Sequence, residues 1–303
     1  MTALFTHPDF LLHETPPGHP ESPQRLSAVS RLIEASELVE KVERIVPELA
    51  SNEELARVHD RDFVDQIASL APTAGLVRVD ADTSMGPNSL NASRRAVGAA
   101  VSAVRESLSG RHRRSFCVVR PPGHHAESVQ AMGFCLFNSV AIAADYALDT
   151  VERVAVLDFD VHHGNGTVEM FADRPEVLVC SSFQFPFYPY RMQDIDRSNI
   201  VNTPLPAGTN GSRFREAIEQ NWTQPLIQHR PDLILVSAGF DAHAEDPLAQ
   251  LQLQDEDFRW ISQWIVDMAQ TYAKGRVVST LEGGYDVNAL ARCSAIHLEC
   301  LLD

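Results

Sequence analysis

The chain has 303 residues, of which 44% are hydrophobic and 22% are charged, an ordinary globular composition that is enough for a sizeable buried core. The excess of acidic over basic residues gives a formal net charge of −16, which argues against general nucleic-acid binding because a phosphate backbone would be repelled. No run approaches the roughly 20 apolar residues of a membrane span, so we expect no membrane partner.

In chain order, short apolar and β-branched runs predict five buried strands, and each run leads into a polar or Gly/Pro-rich turn. The predicted strands are Ser115–Val119, Val154–Leu157, Val177–Cys180, Leu233–Val236 and Val277–Leu281. Helical patterns alternate with them. The predicted helices are Asn88–Leu108 (capped by Asn88 or Ser89), Asn138–Ala147, Arg213–Gln228 and Glu256–Tyr272. Continuously apolar strands separated by helices predict an α/β fold with a parallel sheet covered on both faces.

The polar motifs that follow these strands are expected to meet at one place. In parallel sheets, ligands bind beyond the carboxyl ends of the strands. The motifs RPPGHH, DFDVHHGNGT, SSFQFPFYP, SAGFDAHAEDP and EGGYD all occupy that position. The sequence contains no internal repeat, low-complexity tract or credible linker, so we expect these segments to surround one site.

The cysteine pattern and the N-terminus predict a cytoplasmic protein. The five cysteines show no paired spacing, and Cys117 and Cys180 lie inside apolar runs, where a buried free thiol is usual. Such thiols favour a reducing compartment over a disulfide framework. The first residues, MTALFTHPDF, lack the basic start and long apolar stretch of a signal peptide.

The motif after the second predicted strand has the chemistry of a metal site. Asp160 and His162 are two residues apart and can point toward one metal, and Asp241, which follows the fourth predicted strand, is a natural third ligand. Two aspartates and one histidine leave a fourth position open, as catalytic zinc requires. A lone Asp-x-His is more typical of a hydrogen-bonded turn than of a metal site, and only the second Asp after a parallel strand makes the two interpretations equally well supported.

Such a zinc site needs a separate general base, because two aspartates neutralise the charge of the metal and its water is acidified less. His124 and His125, adjacent in a Pro/Gly-rich turn, could supply that base, since imidazole titrates near neutral pH. Tyr285 could donate to a carbonyl oxygen that the metal polarises. Gly-Gly-Tyr alone is also typical of a tight turn with a packed tyrosine.

The motifs RPPGHHA, GFCLFNSVAIAA, DFDVHHGNGT, SAGFDAH and EGGYD occur in this order, and together they resemble the histone deacetylase family. HPESPQRL (His19–Leu26) and ARVHDRDFV (Ala56–Val64) resemble its N-terminal segments. The resemblance is strongest to the class II branch and to bacterial amidohydrolases, and it covers essentially the whole chain. It implies the arginase-deacetylase fold: a single catalytic domain over residues 1–303, built on an eight-stranded parallel sheet flanked by helices.

The resemblance also implies the roles of the site residues. The three ligands would hold Zn²⁺, with Fe²⁺ as the alternative metal, and His125 would act as general base and then as general acid. His124 would assist electrostatically and Tyr285 would stabilise the oxyanion. Asp158 would orient His124 and Asn165 would orient His125. Because class I members have Asp where this chain has Asn165, we expect His125 to be less basic here.

Further positions match features around the family's reaction centre. An acyl-lysine tunnel would be lined by Gly133, Phe134, Tyr188 and Leu248. Tyr188 replaces the usual Phe, and the segment Pro189–Met192 departs from the customary Pro-Gly-Thr-Gly, so the rim is expected to be unusual. Arg25 resembles an interior arginine near the product-exit route. A structural K⁺ site is implied at the backbone of Asp158, Asp160, His162, Ser181 and Ser182.

The expected reaction is hydrolysis of an acetylated lysine side chain, on a peptide or protein, or of a small acetylated amine. The alternative is an acetylpolyamine amidohydrolase. Polyamine-selective relatives place a carboxylate where this chain has Leu248, but Glu245 and Asp246 keep that alternative open. An arginase-like dimanganese site and an inactive binding module fit the residues less well. Homo-oligomerisation is left open.

Overall fold

The computed structural model describes residues 1–302, in which strands and helices alternate. The strands are β1 Thr2–Phe5, β2 Val42–Ile45, β3 Val77–Arg78, β4 Ser84–Met85, β5 Arg114–Cys117, β6 Val154–Asp158, β7 Val177–Gln184, β8 Ile200–Leu205, β9 Leu233–Ala238 and β10 Val277–Leu281. The helices are α1 Pro23–Glu34, α2 Leu38–Lys41, α3 Asn52–Leu55, α4 Arg61–Leu70, α5 Ser89–Ser109, α6 Ser139–Ala147, α7 Asn165–Phe171, α8 Gly211–His229, α9 Asp255–Tyr272 and α10 Val287–Leu301. A 3-10 turn at Pro8–Leu12 precedes α1.

Within residues 1–302, eight strands form one sheet in the order β2-β1-β5-β10-β9-β6-β7-β8. Every neighbouring pair in it is parallel. Strands β3 and β4 form a small antiparallel pair outside this sheet. The predicted α/β fold with an eight-stranded parallel sheet is therefore confirmed. The five strands predicted from the sequence are five adjacent strands of the sheet, β5, β10, β9, β6 and β7.

The middle strands were predictable because helices cover both of their faces, which makes them apolar at every position. Strands β6, β9 and β10 are buried along their whole length. At the edges of the sheet, β2 and β8 are only partly buried, and Pro204 interrupts the apolar pattern of β8. These two strands and the four-residue β1 escaped the prediction.

The helices form two layers. Helices α5 and α6 pack on one face of the sheet, while α1, α8, α9 and α10 pack together on the other. Each of the four predicted helices is present with its ends within two residues of the prediction. Asn138 begins α6 as expected of a cap, because its side chain accepts a hydrogen bond from the Ala141 N–H at 3.0 Å.

Two further expectations concern the chain as a whole. Cys117 and Cys180 are buried free thiols, as predicted. Among the described residues, none of the helices is both long enough and apolar enough to cross a membrane.

A buried histidine joins α9 and α10 to the sheet. His297 of α10 makes hydrogen bonds of 2.7 Å with Ser262 of α9 and with Ser279 of β10, through opposite nitrogens of its ring. Burial lowers the pKa of His297 to about 3, so the folded protein holds this imidazole neutral.

His297 should make stability depend on pH. Below the ordinary histidine pKa of 6.5 the unfolded chain takes up a proton at this site that the folded chain refuses. The free energy of unfolding therefore falls on acidification from pH 6.5 toward 3, by up to about 1.4 kcal/mol per pH unit from this residue. Urea unfolding of the His297→Gln variant should show a correspondingly smaller slope in that range and an unchanged slope above pH 7. Equal slopes for both proteins at acidic pH would contradict this account.

Candidate active site

The carboxyl ends of the central strands meet at one edge of the sheet. Asp158, the last residue of β6, lies opposite Ser181 of β7 and Ser237 of β9, and Leu281 of β10 lies opposite Ala238 of β9. Because the strands end in register, the segments that leave them begin side by side. The predicted motifs at 118–125, 158–166, 239–243 and 282–286 thus surround one site.

Asp160, His162 and Asp241 come together at this edge. One ligand atom of each lies within 4.8 Å of the others, and all three residues are buried. His162 Nδ1 is 3.1 Å from Asp160 Oδ1 and 3.1 Å from Asp241 Oδ2. The structure therefore assembles the three residues predicted as metal ligands, with their donor atoms facing one another.

The electrostatics of this group fit a divalent cation. Burial raises the pKa of Asp241 to about 7, and the negative charge of Asp160 acts in the same direction. Burial lowers the pKa of His162, but its hydrogen bonds with Asp160 and Asp241 outweigh that effect and raise it to about 10. Two buried carboxylates thus face a single imidazole, and a cation held between them would compensate their charge. Two carboxylate oxygens and an imidazole nitrogen form a donor set that suits Zn²⁺.

Two glycines allow the carboxylates to approach the backbone. A Cβ at Gly283 would lie 2.0 Å from Asp241 Oδ2, and a Cβ at Gly239 would lie 2.0 Å from Asp160 Oδ2. The Gly283 N–H donates to Asp160 Oδ2 at 2.8 Å. Any side chain at either position would displace a ligand. The sequence contains this signal in SAGFD and EGGYD, but it becomes interpretable only once the carboxylates are placed.

His124 and His125 lie beside this group and have opposite electrostatics. Their ring centroids are 4.1 Å apart. Burial opposes protonation of His124, but Asp158 and Asp160 hold its pKa well above the ordinary value. Burial, together with the positive charge of His124 and His162, holds the pKa of His125 well below it. The pair is therefore arranged as one cation and one neutral imidazole.

Hydrogen bonds orient both rings and determine which nitrogen of the neutral His125 is protonated. His124 Nδ1 donates to Asp158 Oδ2 at 2.9 Å, and His125 Nδ1 donates to Asn165 Oδ1 at 2.7 Å. The amide orientation of Asn165 is supported by its Nδ2, which donates to Glu127 Oε1 at 2.7 Å and to the His125 carbonyl at 3.2 Å. His125 Nε2 is thus left with a free lone pair.

Glu282 is a site residue that sequence reasoning missed. It is buried after β10, and its carboxylate accepts hydrogen bonds from the N–H groups of Gly123 and His124 at 2.6 and 3.2 Å. Burial raises its pKa to about 7, against the opposing charge of His124. Glu282 follows β10 and thereby fixes the backbone of the two-histidine turn, which follows the neighbouring strand β5.

Tyr285 lies between the metal-ligand group and a buried arginine. The Arg25 guanidinium stacks 5.0 Å from the Tyr285 ring and donates to the carbonyls of Gly284 and Glu282 at 2.6 and 2.5 Å. Burial raises the pKa of the Tyr285 phenol well above its usual value, although Arg25 opposes the shift. The phenol therefore remains a hydrogen-bond donor at neutral pH.

A narrow cavity of about 120 Å³ reaches this centre. It is lined by Asp82, His125, Gly133, Phe134, His162, Tyr188, Leu248 and Tyr285, which include the four predicted tunnel residues. Phe187 was not predicted and stacks on His162 at 5.3 Å. Asp82 was also not predicted, and its carboxylate accepts the Gly133 N–H at 3.1 Å. Nothing in its local sequence marked it, because it lies more than 40 residues from the nearest predicted site residue.

The residues expected around K⁺ are also neighbours. Ser181 and Ser182 are buried in β7, and Ser181 lies opposite Asp158 in β6. The backbones of the two strands therefore run beside each other where the potassium site is predicted.

A second cluster of metal-ligand types is better explained by an ion pair. His243, Asp255 and Cys293 have ligand atoms within 4.8 Å of one another. However, Arg292 donates to Asp255 at 2.9 Å, and burial raises the pKa of the Cys293 thiol. A guanidinium already neutralises the carboxylate and the thiol is protonated, so this cluster is unsuited to a metal.

Comparison with known proteins places this geometry in context. The family model of the histone deacetylase domain matches residues 19–301. The chain is 36% identical to a histone deacetylase-like amidohydrolase from Pseudomonas aeruginosa, over 93% of this chain and 76% of that protein. It is 33% identical to a probable deacetylase from Archaeoglobus fulgidus, over 95% and 82% of the two chains. The crystal structure of the HDA15 HD domain superimposes with a TM-score of 0.94 at 29% identity, covering 99% of this chain and 88% of that one.

The Gly283→Ala substitution should weaken binding of a divalent cation. Its Cβ would push Asp241 and Asp160 out of position, and a disturbed ligand set typically loses about tenfold or more in metal affinity. Titration of Zn²⁺ against a competing chromophoric chelator measures this loss. Gly208→Ala is the control, since a Cβ there meets nothing within 4 Å and tests only the strain of replacing glycine. Equal affinities in the two variants would contradict the assignment.

Proposed function

The chain belongs to the histone deacetylase family, and from that premise we propose that it is a zinc-dependent deacetylase acting on acetylated lysine side chains or related acetylated amines. Family membership makes it a hydrolase of the deacetylase and amidohydrolase type. We further propose that residues 1–303 form one catalytic domain, which the match over residues 19–301 supports.

The observation that carries the proposal is that His125, His162 and Tyr285 line one narrow cavity. His162 also belongs to the ligand group that it forms with Asp160 and Asp241, so this group adjoins the cavity. A base, a hydrogen-bond donor and a metal-ligand set at the end of a tunnel are the components that amide hydrolysis requires.

The proposed mechanism assigns a different task to each residue. A bound Zn²⁺, or Fe²⁺ as the alternative, would supply a Lewis acid that polarises the amide carbonyl and activates water. His125 Nε2, which has a free lone pair, accepts a proton from the attacking water and later delivers it to the leaving amine. His124, kept cationic by Asp158, stabilises the negative charge that develops beside it. Tyr285 donates its O–H to the oxyanion.

Structural support extends to the proposed K⁺ site and to the compartment. The pairing of Asp158 with Ser181, beside the buried Ser182, supports K⁺ binding next to the ligand group. The free, mostly buried cysteines support a reducing compartment such as the cytoplasm. The net charge of −16 suits cationic substrates such as lysine-rich peptides better than nucleic acid.

The substrate is better matched by acetyl-lysine than by an acetylated polyamine. Leu248 lines the cavity and offers nothing to a second ammonium group. Asp246 accepts the N–H groups of Tyr285 and Leu248 at 2.6 and 3.0 Å, and Glu245 pairs with Arg292 at 3.0 Å. Both carboxylates that favoured a polyamine are therefore already engaged. Asp82 is the remaining carboxylate of the cavity wall and keeps the polyamine alternative testable.

Replacing Tyr285 with Phe should abolish most of the turnover while leaving zinc binding unchanged. Loss of one oxyanion donor costs about 3–4 kcal/mol, or about 100- to 1000-fold in kcat. Zinc-loaded protein and a fluorogenic acetyl-lysine peptide measure this effect. His125→Ala should be at least as severe, and Tyr272→Phe at the end of α9 is the control tyrosine. Retention of activity by Tyr285→Phe would remove its assigned role.

The peptide should be a much better substrate than N-acetylputrescine when both are assayed at equal concentration. Because Glu245 is held by Arg292, Glu245→Gln should leave the ratio of the two activities unchanged. Cleavage of only the polyamine, with loss of that activity in Asp82→Asn, would favour the acetylpolyamine alternative. If neither compound is cleaved while zinc binds tightly, the metal site stands and the proposed substrate class fails.

A further inference from the structure

The segment Pro189–Met192, which departs from the customary Pro-Gly-Thr-Gly, forms part of the rim near the cavity. Tyr190 and Met192 both have positive φ, of 59° and 60°, a conformation that costs energy for residues other than glycine. Tyr190 projects into solvent with 70% of its surface exposed. Such a backbone persists only when surrounding contacts hold it, and two sets of contacts anchor this rim segment.

One anchor is an ion pair between the rim segment and a buried acid. Arg191 Nη2 lies 2.8 Å from Glu127 Oε2, and the Glu127 side chain is only 6% exposed while that of Arg191 is 40% exposed. Arg191 Nη1 also reaches Gln130 Oε1 at 3.4 Å. Glu127 follows the two-histidine turn by two residues, so Arg191 connects the rim to the active-site wall.

The contact continues inward from Glu127. Its other oxygen, Oε1, accepts a hydrogen bond from Asn165 Nδ2 at 2.7 Å, and Asn165 Oδ1 accepts the His125 Nδ1–H at 2.7 Å. An amide can present either its oxygen or its NH₂ group to a neighbour. The carboxylate of Glu127 accepts only from the NH₂ side, and therefore keeps the Asn165 oxygen turned toward His125.

A second anchor holds the rim segment from the opposite side. Asn202 Nδ2 donates to the carbonyls of Met192 and Gln193 at 3.4 and 3.2 Å. Its Oδ1 accepts from His163 Nε2 at 2.9 Å, and His163 directly follows the predicted ligand His162. The rim segment is thus tied to the motif DFDVHHGNGT as well as to the RPPGHHAE turn, which places Arg191 over Glu127.

We propose that Arg191 is a positioning residue that acts through Glu127 and Asn165 to hold His125 in the ring orientation that proton transfer requires. The inference rests on the proposed role of His125 as general base. It assigns to a residue of this chain's unusual rim a function in the chemical step rather than in substrate binding.

The charges around Glu127 are consistent with this arrangement. Burial raises the pKa of Glu127, the hydrogen bond from Asn165 and the charge of Arg191 lower it, and Glu169 raises it further. Glu169 is itself held by the Ser128 N–H and hydroxyl at 3.0 and 2.7 Å. Arg191 is therefore the cation that compensates the negative charges of Glu127 and Glu169. It favours the ionised form of Glu127, which accepts the hydrogen bond from Asn165.

The contrasting hypothesis is that Arg191 binds an acidic residue of a peptide substrate. That role would change KM, and only for substrates that carry a carboxylate near the acetyl-lysine. The proposed positioning role instead changes kcat, for substrates of any length. A small uncharged acetyl-lysine amide distinguishes the two hypotheses. It enters the tunnel but carries no carboxylate for Arg191 to bind, so only the positioning role predicts an effect on its turnover.

The test compares zinc-loaded wild type with Arg191→Met, Arg191→Lys, Glu127→Gln and the double variant on that small substrate. We expect kcat to fall by about fivefold in Arg191→Met and about tenfold in Glu127→Gln, with KM nearly unchanged. Loss of a partner that supports a site residue typically lowers activity about tenfold or more, and Arg191 lies one contact further from His125 than Glu127 does. The double variant should be no worse than Glu127→Gln, since both changes break the same chain of contacts. Arg191→Lys should recover at least half of the lost kcat.

The matched control is Arg197→Met, which removes an arginine that pairs with the exposed Asp173 at 3.0 Å. Its kcat should equal that of wild type. A second readout is independent of turnover: the downfield proton resonance of His125 Nδ1–H, identified by its loss in Asn165→Ala. This resonance should shift or broaden in Arg191→Met and remain in place in Arg197→Met.

Three results would overturn the inference: an unchanged kcat in Arg191→Met, an effect confined to KM for acidic peptides, or independent multiplicative losses in the double variant. If wild type fails to cleave any acetylated substrate, the proposed function is wrong. In that case the His125 resonance still decides whether Arg191 positions this ring.

Discussion

The structure depends on buried negative charge at the carboxyl edge of the sheet. Asp158, Asp160, Asp241 and Glu282 are all withdrawn from water, and a buried carboxylate is costly unless charges or hydrogen bonds compensate it. The compensation comes from backbone N–H groups of tight turns, from imidazoles and from the space for a cation among the three ligands. The glycines, the paired histidines and the parallel register can all be understood as conditions for keeping these acids in place.

The same charges give two adjacent histidines different chemistry. His124 contacts Asp158 and is stabilised as a cation, whereas His125 contacts the neutral amide of Asn165 and is kept unprotonated by burial and by its positive neighbours. In the proposed mechanism, environment and not residue type therefore separates the general base His125 from its electrostatic assistant His124. An aspartate in place of Asn165 would also bring a second negative charge within 2.7 Å of Glu127. The amide of Asn165 is therefore compatible with the neighbouring carboxylate of Glu127 as well as with a neutral His125.

Beside this centre, the rim segment Pro189–Met192 departs from the pattern that the resemblance implies. The residues of the metal-ligand group lie in motifs that carry the family resemblance. By contrast, Arg191 stands where the resemblance implies a small residue, and it reaches inward to Glu127. The rim segment is thus connected to His125 by an unbroken series of short contacts, through Glu127 and Asn165. Variation at the mouth of the site can in this way reach the base without touching the ligands.

The sequence by itself determined the central strands, four of the helices (α5, α6, α8 and α9) and the motifs of the site, because each is a local pattern of apolar periodicity, capping or residue spacing. Tertiary structure alone decided the edge strands, whose half-exposed patterns are weak, and the roles of Glu282, Asp82, Glu127 and Arg191. Glu282 meets Gly123 across 159 residues of chain and Glu127 meets Asn165 across 38. A buried acid and a surface arginine carry no local mark of their partners, since ion pairs and hydrogen bonds between distant segments form only after the strands are placed in register.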